Sequence, residues 1–97
     1  MTTRRTVTAK DTMLVSEGIS VREFDREWVI LDLRRGAYFG MNEVGATIWQ
    51  AISAGKSPAE AAKSLGTIYE CNETNALQDV LKFVGELVQR GLLEIKE

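Results

Sequence analysis

Residues 28–41 read WVILDLRRGAYFGM and predict two β-strands joined by a tight turn. Side chains alternate between the two faces of a strand, and the face formed by Val29, Leu31 and Leu33 is wholly apolar. We therefore expect this face to pack on the core. Gly36 follows two arginines and can adopt the positive φ that a hairpin turn requires.

The segments on either side of this hairpin predict a small sheet followed by helices. Residues 19–24 are rich in strand-forming side chains, and residues 13–15 predict an additional strand or extended arm. Downstream, helical spacing and N-cap residues predict three helices. They are expected at residues 44–52 after the N-cap Asn42, from Pro58 after the N-cap Ser57, and from near Asn72 or Thr74 to Arg90. Residues 66–72 are expected to form a connector, and residues 92–95 a short final strand or tail.

This order of elements defines the predicted fold class and domain organisation. The chain is α+β, with a three-stranded antiparallel sheet followed by three helices, and it is similar to a winged helix-turn-helix. Residues 1–14 are expected to form a flexible or extended N-terminal arm, because termini are loose unless tied down. Residues 15–97 are expected to form the domain.

Composition excludes several function classes. The chain of 97 residues has a net charge of −2 and no histidine, and its isoelectric point is about 5.2. An acidic chain is poorly suited to nucleic acid, and no apolar run is long enough to span a bilayer or to serve as a secretory signal. We therefore expect a cytoplasmic protein.

Catalytic chemistry also lacks its usual residues. Without histidine, the Ser-His-Asp and Cys-His arrangements and the commonest zinc ligand are missing. The lone cysteine, Cys71, has no activating base beside it in sequence. Asp32 and Asp79 lack a histidine partner or a glycine-rich phosphate loop, so they do not indicate an acid–base pair. We predict no enzyme activity, no cofactor and no metal.

Two apolar segments remain as candidates for a binding function. Tyr38, Phe39, Gly40 and Met41 form a short strand at the edge of the predicted sheet, and an edge strand can accept an extended peptide as a further strand. The alternative is that its aromatic residues belong to the core and that the N-terminal segment covers the edge. An uncovered edge could also pair with a second copy, so a homodimer stays open.

The third helix carries two apolar stripes where a surface helix needs one. The first stripe comprises Leu77, Leu81, Val84 and Val88, and the second comprises Ala76, Val80, Phe83 and Leu87. Either both stripes are buried, with the helix deep in a small core, or one packs inward and the other forms the wall of a groove.

Three runs of sequence resemble the PqqD-like family. They are VILDL at 29–33, GAYFGMNEVGATIW at 36–49 and LQDVLKFVGELVQRGLL at 77–93. Met41 stands where the family usually has leucine, a swap that nearly conserves volume. The stretch LDLRRGAYFGMNEVGATIW at 31–49 is more similar to the stand-alone leader-binding proteins of lasso-peptide clusters than to the member of the pyrroloquinoline quinone pathway.

This resemblance implies a RiPP recognition element, that is, a module that binds the leader of a ribosomally synthesised precursor peptide. The leader would add as a strand to Tyr38–Met41 and lie against the third helix. Of that helix, Ala76, Asp79, Val80 and Phe83 are expected to form the groove wall, because they turn away from the first stripe. Phe83→Ala or Val80→Asp should then weaken leader binding while the domain stays folded.

The resemblance also implies a separate enzyme as a partner. In lasso-peptide systems this is a leader peptidase, and in the pyrroloquinoline quinone pathway it is a radical SAM enzyme. The rival function is a winged-helix DNA-binding regulator, whose third helix would enter a major groove. That helix offers only Lys82 and Arg90 as bases, against Asp79 and Glu86.

Overall fold

The computed structural model describes residues 6–69 and 73–96. The first half of the chain contains the strands β1 (Met13–Val15), β2 (Ile19–Phe24), β3 (Glu27–Asp32) and β4 (Ala37–Met41). The second half contains the helices α1 (Glu43–Ser53), α2 (Pro58–Tyr69) and α3 (Glu73–Gln89), followed by β5 (Leu93–Ile95). The predicted α+β class is confirmed: β2, β3 and β4 form an antiparallel sheet in that order, and the helices follow it.

The helix boundaries follow from capping residues. The side chain of Asn42 accepts a hydrogen bond from the Gly45 N–H at 2.8 Å, which starts α1. Ser57 and Glu60 cap α2 reciprocally, since the Glu60 N–H donates to the Ser57 hydroxyl and the Glu60 carboxylate accepts from the Ser57 N–H. Gly91 has a φ of +77° and ends α3, and the Leu92 N–H donates to the Leu87 carbonyl at 3.0 Å.

The predicted connector at residues 66–72 is partly helical. The α2 helix continues to Tyr69 and includes Gly66, which does not adopt a positive φ. Cys71 and Asn72 lie outside the described residues, so the predictions that concern them are not addressed by the structure.

The prediction for the core face of β3 is wrong. Ile30 is fully buried and Asp32 is only 3% exposed, whereas Leu33 is 69% exposed. The inward face is therefore the one that carries Trp28, Ile30 and Asp32, with Phe39 and Met41 beside it on β4. A carboxylate can occupy this face because its Oδ1 accepts three hydrogen bonds at the turn that follows, which a count of apolar residues does not reveal.

The N-terminal segment is part of the domain from residue 6 onward. Val7 and Met13 belong to the hydrophobic core, and the Ala59 N–H donates to the Ala9 carbonyl at 3.1 Å. β1 pairs antiparallel with β5, so the division expected between residues 14 and 15 falls inside a paired strand. Residues 1–5 of the predicted arm lie outside the described residues.

No helix in the described ranges is long and apolar enough to cross a membrane.

Candidate functional site

The outer edge of β4 pairs with no strand among residues 6–69 and 73–96. Its backbone groups can be assigned from the register. The Leu33 N–H donates to the Gly18 carbonyl on the β2 side of β3 at 2.9 Å. Since successive residues of a strand direct their backbone groups to opposite sides, Ile30 and Asp32 direct theirs to β4.

The same alternation identifies the free groups of β4. Ile30 lies opposite Phe39, and Asp32 lies opposite Ala37, so these are the hydrogen-bonded pairs of the hairpin. Tyr38 and Gly40 therefore direct both their N–H and their C=O away from β3, toward the open edge. An extended peptide lying there would find two donors and two acceptors in the spacing of a strand.

Charge distinguishes this edge from the other edge of the sheet. β2 carries Arg22 and Glu23, and charged side chains on an edge strand discourage the addition of another strand. β4 has the sequence AYFGM and no charge. Of the two edges, β4 is the one suited to strand addition.

The inner side of β4 opens onto α3. The rings of Phe39 and Phe83 lie with their centroids 6.2 Å apart and their planes tilted by 53°, an aromatic pair of favourable geometry. The guanidinium of Arg90 lies 4.9 Å from the centroid of the Phe39 ring. Beneath Phe83, Gly45 of α1 has no side chain, and a Cβ at that position would come within 3.4 Å of the ring. Phe83 is therefore held in place between β4 and α1.

A hollow of about 170 Å³ lies between β4 and the C-terminal end of α3. It is lined by Ile30, Asp32, Arg35, Ala37, Tyr38, Phe39, Arg90 and Leu92. The Phe39–Phe83 pair and this hollow together form the cleft along the inner side of β4.

The four residues predicted for the groove wall on α3 differ in burial. Ala76 and Val80 lie in the core rather than turning away from it: Ala76 is 4% exposed and Val80 is fully buried. Only Asp79 is exposed and Phe83 half-buried among the four residues named for that wall. Both apolar stripes are largely buried because so small a domain packs α3 against other elements on two sides.

The exposed line of α3 is a different one. On a helical wheel continued one residue past α3 to Arg90, the residues Asp79, Phe83, Glu86 and Arg90 fall within about 60° of one another. Two members of this line, Phe83 and Arg90, contact Phe39 of β4. A count of apolar residues did not identify Glu86 and Arg90, because both side chains are charged. They form an ion pair that borders the cleft, with Arg90 Nη2 3.2 Å from Glu86 Oε1.

Asp32 anchors the turn that closes one end of the cleft. Its carboxylate accepts hydrogen bonds from the backbone N–H groups of Arg34 and Arg35 and from the Arg34 side chain. The two arginines also donate to carbonyls just after the end of α3, at Gly91 and Arg90 respectively. Cations at a helix C-terminus are favourable, so this turn ties the β3–β4 hairpin to α3 and sets the width of the cleft there.

The ionisation of Asp32 reflects these contacts. Desolvation at this position would raise the pKa of the carboxyl group. The hydrogen bonds from Arg34 and Arg35, together with the charge of Arg34, outweigh that effect and hold the pKa of Asp32 below its ordinary value. The ionised carboxylate of Asp32 therefore stabilises the turn. In the described part of the chain, no group of three or more His, Cys, Asp or Glu side chains could hold a metal ion.

Asp32→Asn should therefore make the stability of the domain less dependent on pH. Because the folded state lowers the pKa of Asp32, its ionised form stabilises the fold above about pH 4, and this contribution is lost as the pH falls through the folded-state pKa. We expect the variant to be less stable than the parent in urea unfolding at pH 7, with the difference shrinking at pH 3.

Asp79→Asn, at an exposed position of α3, is the matched control and should change stability little at either pH. A stability deficit of Asp32→Asn that is equally large at both pH values would contradict the role assigned to the charge.

Comparison with known proteins gives a consistent result. Residues 27–93 match the family described as Coenzyme PQQ synthesis protein D (PqqD). No curated protein sequence matches the chain.

Three solved structures are similar to the chain. A lasso peptide synthetase B1 complexed with the leader peptide is 34% identical, has a TM-score of 0.78, and the match covers 84% of this chain and 95% of that one. TbiB1 in complex with the TbiA(beta) leader peptide is 31% identical, with a TM-score of 0.75 and coverage of 82% and 93%. The third is the PqqD truncation of Methylobacterium extorquens PqqCD, a stand-alone RiPP recognition element. It is 18% identical, has a TM-score of 0.77 with coverage of 91% and 94%, and supports the fold alone.

Proposed function

The chain belongs to the PqqD family, and from that premise we propose that it is a binding module that captures the leader of a ribosomally synthesised precursor peptide. The leader adds to β4 as a fourth strand of the sheet and lies in the cleft beside Phe39 and Phe83. The module catalyses no reaction itself. It presents the remainder of the precursor to a separate processing enzyme.

The free backbone groups of Tyr38 and Gly40 are the observation that carries this proposal. Each new backbone hydrogen bond contributes about 1 kcal/mol net, so four of them supply affinity without regard to sequence. Sequence preference must then come from side-chain pockets on either side of the added strand.

The cleft supplies one such pocket. A leader residue directly opposite Phe39 points to the inner face of the sheet, as Phe39 does, and meets the rings of Phe39 and Phe83. Met41 contributes from the buried end of β4, and Asp79 lies along the exposed line of α3. Ala76 and Val80 keep a supporting role, since they hold α3 in the core rather than touch the peptide.

The processing enzyme is proposed to be a lasso-peptide leader peptidase. The two relatives above 30% identity are leader complexes of a lasso peptide synthetase B1 and of TbiB1. A radical SAM enzyme of the pyrroloquinoline quinone pathway is the second candidate. In both cases capture would act by raising the effective concentration of the precursor at the enzyme.

The rival function of a DNA-binding regulator finds little support in the arrangement of charge. Arg34 and Arg35 are engaged with Asp32 and with the end of α3, and Arg90 pairs with Glu86. The exposed line of α3 carries two acidic side chains, Asp79 and Glu86, and one basic side chain, Arg90. A recognition helix needs an excess of bases.

Amide hydrogen exchange measured by NMR tests the mode of binding. The probe is the synthetic leader of the precursor peptide encoded in the same gene cluster as this chain. In the free protein the amides of Tyr38 and Gly40 should exchange quickly, because they face solvent, and the amide of Phe39 should be protected by β3. Adding the leader should slow exchange at Tyr38 and Gly40 by at least about tenfold and leave Phe39 nearly unchanged.

Binding of the leader with no added protection at Tyr38 and Gly40 would overturn strand addition at β4. Absence of binding, with tight binding to promoter DNA that falls steeply with salt, would favour the regulator instead.

A further inference from the structure

The outer face of the sheet contains a gap at Gly40. Tyr38 and Gly40 are the residues of β4 whose positions lie on this face, because Phe39 and Met41 lie on the inner one. Tyr38 is 78% exposed. A Cβ built on Gly40 would meet no atom within 4 Å, so the backbone there is bare.

The register places this bare backbone in a row across the sheet. Arg22 of β2 pairs with Val29 of β3, and Val29 pairs with Gly40. Arg22 and Val29 therefore carry side chains that cover the sheet in this row, whereas Gly40 carries none. An open hollow of about 390 Å³ lies at this end of the hairpin. Its lining residues are Arg26, Glu27, Trp28, Val29, Gly40, Met41, Asn42 and Glu43.

We propose that the part of this hollow that borders Val29 and Gly40 is a second subsite for the bound leader, on the face of the sheet opposite the cleft. It takes an aromatic or other large apolar side chain from the leader residue that pairs with Gly40. This inference rests on the proposed addition of the leader to β4.

Strand geometry determines which leader residue reaches the hollow. Neighbouring strands lie about 4.8 Å apart, and directly paired residues place their side chains on the same face. The leader residue opposite Gly40 therefore projects from the outer face. With no side chain on Gly40, an aromatic ring at that position can lie across the glycine backbone and reach Val29, an arrangement that rescues a glycine in a sheet.

The subsite makes a distinctive prediction about the leader sequence. Residues that enter the cleft alternate along the strand, since the leader residue opposite Phe39 and those two positions away face inward. The residue opposite Gly40 is out of phase with them by one. A leader that uses both subsites should carry adjacent large apolar residues, whereas one that uses the cleft alone should show simple alternation.

Gly40→Val provides a variant that fills the hollow from the protein side. Gly40 has no positive φ and an added Cβ meets no neighbour, so a β-branched residue should be accommodated in the strand. The Gly40 N–H and C=O remain available to a peptide. The variant should thus retain strand addition and lose the subsite.

Peptide display tests this inference without a known leader. A library of random 12-residue peptides is selected against the wild-type protein, Gly40→Val and Gly40→Pro. Wild type should enrich an aromatic residue one position out of phase with the cleft-facing apolar residues. Replacing that residue by alanine in a selected peptide should weaken binding about tenfold to wild type and less than about twofold to Gly40→Val.

The outcomes separate this inference from the proposed function. Two results would overturn the second subsite and leave leader capture standing. In the first, the selected peptides require the Gly40 N–H but contain no out-of-phase aromatic residue. In the second, replacing that aromatic residue by alanine weakens binding equally to wild type and to Gly40→Val. Peptides that bind Gly40→Pro as well as wild type would instead overturn strand addition at β4.

Discussion

Val80→Asp is expected to unfold the domain. Val80 is fully buried in the cluster that also contains Val84 and Leu87. A carboxylate placed there has no basic partner on its own face of α3 and must be either desolvated or protonated. The cost is about 4 kcal/mol or more, and a domain of this size has a total stability near the lower end of 5–15 kcal/mol. Loss of the cooperative transition in urea unfolding, followed by circular dichroism, is the expected result.

Phe83→Ala is the matched comparison on the same helix. Phe83 is only half-buried and borders the cleft, where it contacts Phe39. Its truncation should leave a cooperative unfolding transition and weaken leader binding by about tenfold in calorimetry, from the lost aromatic contact. The sequence alone predicted the same outcome for both variants, namely weaker binding by a folded domain.

The two variants test the assignment of α3 surfaces directly. A folded Val80→Asp protein with weakened leader binding would restore Val80 to the groove wall and contradict its burial. Unchanged leader affinity in Phe83→Ala would remove α3 from the site.

Gly40→Pro is expected to abolish leader capture while the domain stays folded. The Gly40 N–H points to the open edge, so its loss removes no bond of the β3–β4 ladder. Proline is tolerated on edge strands for this reason. The pyrrolidine ring would occupy the position of the leader carbonyl, which removes one hydrogen bond and blocks its neighbours. We expect leader affinity to fall by about a hundredfold or more, from the loss of two or more such bonds.

Two control variants separate the loss of the Gly40 N–H from other effects of substitution in β4. Gly40→Ala keeps the N–H, meets no neighbouring atom and should bind the leader within about threefold of wild type. Phe39→Pro would remove a donor that faces β3 and should destabilise the hairpin itself. Leader binding by Gly40→Pro at wild-type affinity in calorimetry would show that the peptide does not add to β4.

Local signals in the sequence account for most of the architecture. Alternation predicted β2, β3 and β4, and the Asn42 and Ser57 caps predicted where α1 and α2 begin. These features depend on a few adjacent residues, because capping and strand alternation act over one or two turns of chain. The edge position of β4 followed from the same order of elements.

The sequence was a poorer guide to which face of each element packs on the core. Counting apolar residues assigned the wrong face of β3 to the core, since Asp32 is buried and Leu33 is exposed. Its burial depends on Arg34 and Arg35, whose side chains also reach the end of α3, more than 50 residues away along the chain. No local pattern records such a contact, because it forms only when the hairpin and the helix have packed together.

The division between local and long-range information is clearest on α3. Its two apolar stripes are evident in the residue spacing, and they establish that a helix forms and that two of its sides are apolar. Which stripe borders a cleft depends on what packs against each side, and packing buried Ala76 and Val80 while leaving Phe83 beside Phe39. Local propensity and capping thus specify the elements of this protein, whereas its binding surface is specified by burial, which no residue determines without its neighbours in space.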